Sequence, residues 1–206
     1  MFRSAVLRVG VVLALVGPAS AAPVVINFDA LAPGAVVGAA FSGVGVTFSN
    51  ATTFNTSLLP GATQPFASPP IAIFSTSAAQ LLGTTNIISA AFSLTNVSSV
   101  SLLGLDVGAD GFAFRAYDAE VGGNLIDSDV VFGVGAGVAQ AFTLTLTGTG
   151  IRRVEFAQGA SSGGDGIGFD NFTFDTVGTV PEPTTLALVG AALFGAMCAK
   201  RRAKVV

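Results

Sequence analysis

Between Val24 and Asp175 the sequence carries no helical period, only short runs of Phe, Val, Ile and Thr broken by Gly, Asn, Asp, Ser and Pro. That punctuation confines this part of the chain to β-structure. β-Branched and aromatic residues suit a pleated, half-buried surface, while the small polar residues take the turns. Strands are predicted at Val24–Asp29, Val44–Asn50, Ile71–Ser75, Ile87–Leu94, Val100–Val107, Gly111–Tyr117, Leu125–Phe132, Ala141–Thr147, Ile151–Ala157 and Ile167–Asp175. Several alternate with a period of two, which gives each face its own set of side chains. Phe112-Phe114-Ala116, Phe142-Leu144-Leu146 and Val154-Phe156 are the clearest. About ten short strands so spaced predict an all-β fold, a single antiparallel two-sheet sandwich of jelly-roll-like form. Asn50–Pro70 and Ala157–Gly166 are predicted loops.

The two ends have a different character. Met1 to Ala21 places Arg3 and Arg8 before an apolar stretch, Val9–Val16, then Gly17-Pro18 and small residues at Ala19 and Ala21. This is the pattern of a secretory signal peptide over residues 1–21, with cleavage after Ala21. Cleavage after Ala22 would leave Pro23 at the new N-terminus. At the other end, a linker over 178–183 holds Pro181-Glu182-Pro183, and the two prolines stop a helix from running upstream. The sixteen residues Thr184–Ala199 carry no charge, and Lys200, Arg201, Arg202 and Lys204 follow them. As a helix that run rises about 24 Å, short of the ~30 Å hydrocarbon core. Long cationic side chains reaching to the headgroups make up the difference. A single transmembrane helix with a basic tail over 184–206 is therefore expected, with its cations on the cytoplasmic side.

Pro181-Glu182-Pro183, the apolar run and the terminal Arg/Lys cluster, in that order, resemble the PEP-CTERM sorting signal of Gram-negative bacteria. The resemblance covers about 25 residues, Val180 to Lys204, and implies recognition by a membrane-embedded exosortase that processes the protein near the motif. It implies an exported protein, held in the inner membrane by its C-terminal helix before processing and found afterwards at the cell surface or outside. Organisms that use such signals often make extracellular polysaccharide and biofilm. About the rest of the chain the resemblance says nothing.

The charges of the body argue against several partners. Six of the nine cations sit at the ends; the body, Ala22 to Thr179, keeps Arg115, Arg152 and Arg153 against eleven carboxylates, a net charge near −8. Such a surface repels nucleic acid and anionic lipid. The single cysteine, Cys198, lies in the tail, so the body forms no disulfide. The chain has no histidine, which removes a Ser-His-Asp triad and histidine metal sites. Glu120 and Glu155 are the body's only glutamates, and no pair of carboxylates stands out as acid and base. The protein is expected not to be an enzyme.

The last strand holds the most suggestive side chains. Its apolar positions run Ile167, Phe169, then Phe172, Phe174, so the period of two slips at Asp170-Asn171. A β-bulge does this and can aim two polar side chains to one place. The first strand supplies Asn27-Phe28-Asp29. A first strand with Phe-Asp and a closing strand with Asp-Asn resemble bacterial jelly-roll domains of the carbohydrate-binding-module type. The resemblance implies that first and last strands pair and that Asp29, Asp170 and Asn171 hold a structural Ca²⁺, an oxygen set suited to a hard cation. The other reading is that Asp170 and Asn171 cap the bulge and satisfy backbone groups.

Elsewhere, Asp106–Gly111 reads as a glycine-assisted hairpin turn and Asp127-Ser128-Asp129 as two carboxylates on a solvated strand face. The fifteen body phenylalanines read as core, and Tyr117 is the only tyrosine. The expected function is that of a non-catalytic exported surface or extracellular-matrix protein sorted through its tail. The alternative is a calcium-stabilised carbohydrate-binding module acting on extracellular polysaccharide.

Overall fold

The computed structural model describes residues 22–56, 71–75, 87–134, 140–159 and 167–177, all within the compact unit Ser20–Val177. In them the β-forming runs become eleven strands: β1 Val24–Ile26, β2 Val46–Ser49, β3 Ala51–Asn55, β4 Ile71–Ser75, β5 Ile88–Phe92, β6 Val97–Leu105, β7 Phe112–Tyr117, β8 Leu125–Val131, β9 Phe142–Ile151, β10 Arg153–Gln158 and β11 Gly168–Thr176. One sheet, A, runs β3-β4-β11-β6-β9, with β1 also paired to β11. The other, B, runs β2-β5-β10-β7-β8. The strand pairings are antiparallel throughout the described residues. The predicted two-sheet sandwich is the fold.

The core is a phenylalanine layer between the sheets. Phe28, Phe92, Phe112, Phe114, Phe156, Phe169, Phe172 and Phe174 are all fully buried. The rings meet edge-on or tilted more than face to face, as at Phe156–Phe169 (4.9 Å between centroids) and Phe48–Phe172 (5.2 Å). The ring quadrupoles favour that arrangement. Apolar burial of this kind supplies what a disulfide would otherwise add. Gly168 opens β11 because the Phe54 ring leaves no room there: a Cβ would sit 2.7 Å from its Cζ.

Three expectations are corrected. β3 lies inside the predicted Asn50–Pro70 loop. Asn50 adopts φ +57, and the chain passes from β2 in sheet B directly to β3 in sheet A. The polar look of Ala51-Thr-Thr-Phe-Asn hid this strand, because Thr53 is buried and spends its hydroxyl on the carbonyl of Ala32 (2.6 Å). The Asp106–Gly111 turn joins β6 of one sheet to β7 of the other, so it is an inter-sheet crossing and makes no hairpin. Asp127 and Asp129 pair with the buried Ala116 and Phe114, so they lie on the side of the edge strand that faces the other sheet, though at its rim, with Asp127 half-buried and Asp129 exposed to solvent. Asp127 accepts the backbone N–H of Thr147 in β9 (2.9 Å) and Asp129 that of Val130 (2.8 Å). Inward charges on an edge strand discourage sheet-to-sheet aggregation. The opposite edges of the sandwich are covered by chain: Gly34 donates to Thr53 and Phe48 to Gly38.

Candidate functional site

β11 has two partners along one edge. It pairs with β4 at Phe169↔Ile73 and with β1 from Phe172↔Ile26 to Phe174↔Val24. Its register against β6, on the other edge, shifts between Asp170 and Thr173, where the apolar period slips in the sequence. Asn171 takes φ +49 there, a left-handed conformation that Asn accepts more readily than most residues. The buried Asp170 accepts the N–H of Asn171 through Oδ1 at 2.7 Å. The carboxylate therefore caps the bulge.

Asp29 reaches the same junction from β1. Phe28 adopts φ +61 and buries its ring against Phe41 and Phe48, which leaves Asn27 and Asp29 directed away from the core. Asp29 Oδ1 accepts the N–H of Ile71 at the start of β4 (3.1 Å), and Oδ2 accepts the Asn27 amide (2.9 Å). The structure thus sets Asp29, Asp170 and Asn171 where β1, β4 and β11 meet. Two carboxylates and an amide form an oxygen set of the kind a hard cation takes. Among the described residues no group of three His, Cys, Asp or Glu could hold a metal ion. A cation at this junction would draw on Asn171 and backbone oxygens as well.

The body's cations are held elsewhere. Arg152 pairs with Glu120. Arg153 lies over the Tyr117 ring (4.3 Å to the centroid), 3.4 Å from Glu155, and donates to the Gly122 carbonyl. Arg115 sits opposite Glu155 in the β7–β10 pairing. Burial first, and then the hydrogen bond to Glu155, push the Tyr117 hydroxyl above its ordinary pKa. The one tyrosine is thus covered by an arginine. In the 118–124 loop the side-chain amide of Asn124, and then its backbone N–H, hold the Asp118 carboxyl below its ordinary range.

The outward face of sheet A is a feature that sequence reading missed. The β6–β9 register pairs Ser99 with Thr147, Ser101 with Thr145 and Leu103 with Thr143. The β6–β11 register adds Thr173 beside Ser101 and Asp175 beside Ser99. One row, Thr145–Ser101–Thr173, therefore carries hydroxyls on all three strands, and its neighbours set Ser99 and Thr147 beside Asp175 and Thr143 beside Leu103. A groove of about 380 Å³ lies on this face, lined by Ser101, Leu103, Ala141, Thr143, Asn171 and Thr173. The threonines alternate in the sequence at 143, 145 and 147, but the face they join is set by the register of three strands.

Pro181, Glu182, Pro183, Lys200, Arg201, Arg202 and Lys204 lie outside the described residues, as do the expected signal peptide and membrane helix. Among the described residues no helix is long and apolar enough to cross a membrane. The fold defines a disulfide-free β-sandwich body. The tail is more specific: residues 179–202 match the PEP-CTERM protein-sorting motif. The chain carries a PEP-CTERM sorting signal, which implies export and handling by an exosortase-type enzyme.

No curated protein matches the chain. Among solved structures, the K2 cleaved adhesin domain of Lys-gingipain is similar at 13% identity and a TM-score of 0.49, covering 74% of this chain and 99% of that one. The K1 domain of Lys-gingipain from Porphyromonas gingivalis W83 gives 13% identity and 0.45, over 77% and 100%. The Clostridium thermocellum xylanase 10B CBM22-1–GH10 modules, complexed with xylohexaose, give 11% and 0.35, over 64% and 25%. These likenesses are too distant to carry a function to this chain.

Proposed function

We propose that this is a non-catalytic exported protein of the cell surface or extracellular matrix, delivered by its tail. A membrane-embedded exosortase recognises the apolar run and basic cluster and processes the chain near Pro181-Glu182-Pro183. The observation that carries this reading is the sorting motif over 179–202. The non-catalytic part draws support from how the carboxylates are used. Asp29, Asp127, Asp129 and Asp170 accept backbone N–H groups, Asp118 holds Asn124, and Glu120 and Glu155 meet arginines. Side chains so engaged hold the sandwich together. Replacing Pro181-Glu182-Pro183 by alanines and following the tail tests the sorting reading. Hydrolysis assays on polysaccharide fragments test the absence of catalysis.

A second reading, a calcium-stabilised carbohydrate-binding module, draws on the placement of Asp29 and Asp170 on segments that adjoin at the β1–β4–β11 junction. Ca²⁺ held there would tie the first strand to the last. A ligand that binds only the folded state at a hundred times its Kd adds about 2.7 kcal/mol. For a body of this size that is a rise in Tm of about 5–10 °C. The expected result is such a rise with Ca²⁺ over chelator, lost in Asp29→Ala and in Asp170→Ala. Equal melting in Ca²⁺ and chelator would leave a metal-free sandwich held by its phenylalanines.

A further inference from the structure

We infer that the groove on the outward face of sheet A is a contact site for a neutral glycan chain. The inference deepens the carbohydrate-binding reading, and rests on it, by assigning the face, the residues and the charge class of the ligand. Among the described residues the lining offers the hydroxyls of Ser101, Thr143 and Thr173, the last of which also donates to the Asn171 carbonyl (3.2 Å), and the amide of Asn171, and none of these six lining residues carries a charge. Hydroxyls and amides both donate and accept hydrogen bonds, which matches a ligand whose surface is itself hydroxyl. The Thr145–Ser101–Thr173 row carries hydroxyls on all three strands, and Ser99 and Thr147 continue them on two. Side chains on one face recur every two residues, about 6.8 Å along a strand, and neighbouring strands lie about 4.8 Å apart. A polymer with repeating hydroxyls meets several such positions in succession. The groove's volume, about 380 Å³, falls within the range of small-ligand sites.

The same residues argue against other occupants. A polyanion needs cations, and Arg115, Arg152 and Arg153 are placed at Tyr117, Glu120 and Glu155, on or beside sheet B. The net charge near −8 of the body repels it further. A protein partner wants a buried aromatic or arginine anchor, and none of the described lining residues is aromatic or an arginine. With no ring to stack on, sugar contacts here are hydrogen-bonded and wet, and rely on water bridges between the rows.

The test titrates neutral β-glucan and galactomannan oligosaccharides, and in parallel acidic alginate oligosaccharides, into the full-length chain held in a sugar-free zwitterionic detergent. Calorimetry reads the affinity. A neutral oligosaccharide is expected to bind and alginate to bind at least tenfold more weakly. The combined Ser101→Ala and Thr143→Val change is expected to weaken the neutral ligand about tenfold, the loss of one to two net hydrogen bonds. Thr173→Val, a single change of similar shape, is expected to weaken it severalfold. Thr47→Val, on sheet B, serves as the control and is expected to leave binding unchanged. Melting curves confirm that each variant is folded. Neutral binding that survives the groove changes would overturn the site and leave the carbohydrate reading standing. Binding of no glycan, or of alginate alone, would overturn both, and neither result touches the sorting of the tail.

Discussion

Phe172→Ala is expected to destabilise the sandwich by about 3–5 kcal/mol, the cost of a large-to-small change in a closed core. The ring is fully buried. It meets Phe48 and Phe92 of sheet B at 5.2 and 6.1 Å, Phe156 at 6.5 Å and its own neighbour Phe174 at 6.4 Å. It therefore sits on the sheet A side of the layer that joins the two sheets. Its backbone also pairs with Ile26 of the first strand, just past the bulge, so little room exists for the site to collapse. A domain's whole stability is about 5–15 kcal/mol, and a loss of this size lowers Tm by roughly 6–20 °C. Phe132→Ala provides the contrast, since that ring is 54% exposed beyond β8. There the expected loss is on the order of 0.5 kcal/mol, as for other surface positions. Thermal unfolding of residues 22–177 checks both. Equal losses would mean that the phenylalanine layer is not what joins the sheets.

The second large effect falls on the tail. Replacing Pro181-Glu182-Pro183 by Ala-Ala-Ala is expected to leave the body folded and to stop processing altogether. Proline disfavours helix and alanine is the best helix former, so the change reverses the backbone preference at the motif and removes the Glu182 carboxylate. The sorting enzyme would then meet a segment without the prolines and the carboxylate of the motif it recognises. Immunoblots of membrane and surface fractions read the result: the variant stays at full length in the membrane fraction. Normal processing of the variant would rule out the sorting reading.

Much of the fold was legible because burial repeats with the pleat. The alternation of Phe112, Phe114 and Ala116 predicted a strand with one face in the core, and all three are buried. The slip at Asp170-Asn171 was legible for the same reason, since a bulge has to shift the apolar period, and the register does shift there. The first and last strands pair as expected. What was hidden depended on distant partners. Thr53 looks like a loop residue until Ala32, twenty-one residues away, takes its hydroxyl. Asp127 looks solvated until β9 of the other sheet offers it the Thr147 N–H. The polar rows on sheet A were invisible because they arise from the register of three strands, and no single strand states its register. At the candidate site, sequence supplied Asp29, Asp170 and Asn171, while the entry of β4 through the Ile71 N–H came only with the structure.

A β-sandwich delivered by its tail and then released from it, as proposed above, carries a distinct mass. The most direct measurement is the intact mass of the protein recovered from the surface of cells that carry the sorting enzyme. The expected chain begins near Ala22 and ends close to Pro181-Glu182-Pro183, without the apolar run Thr184–Ala199 and its cations. A surface form that retains Lys200 to Lys204 would contradict it.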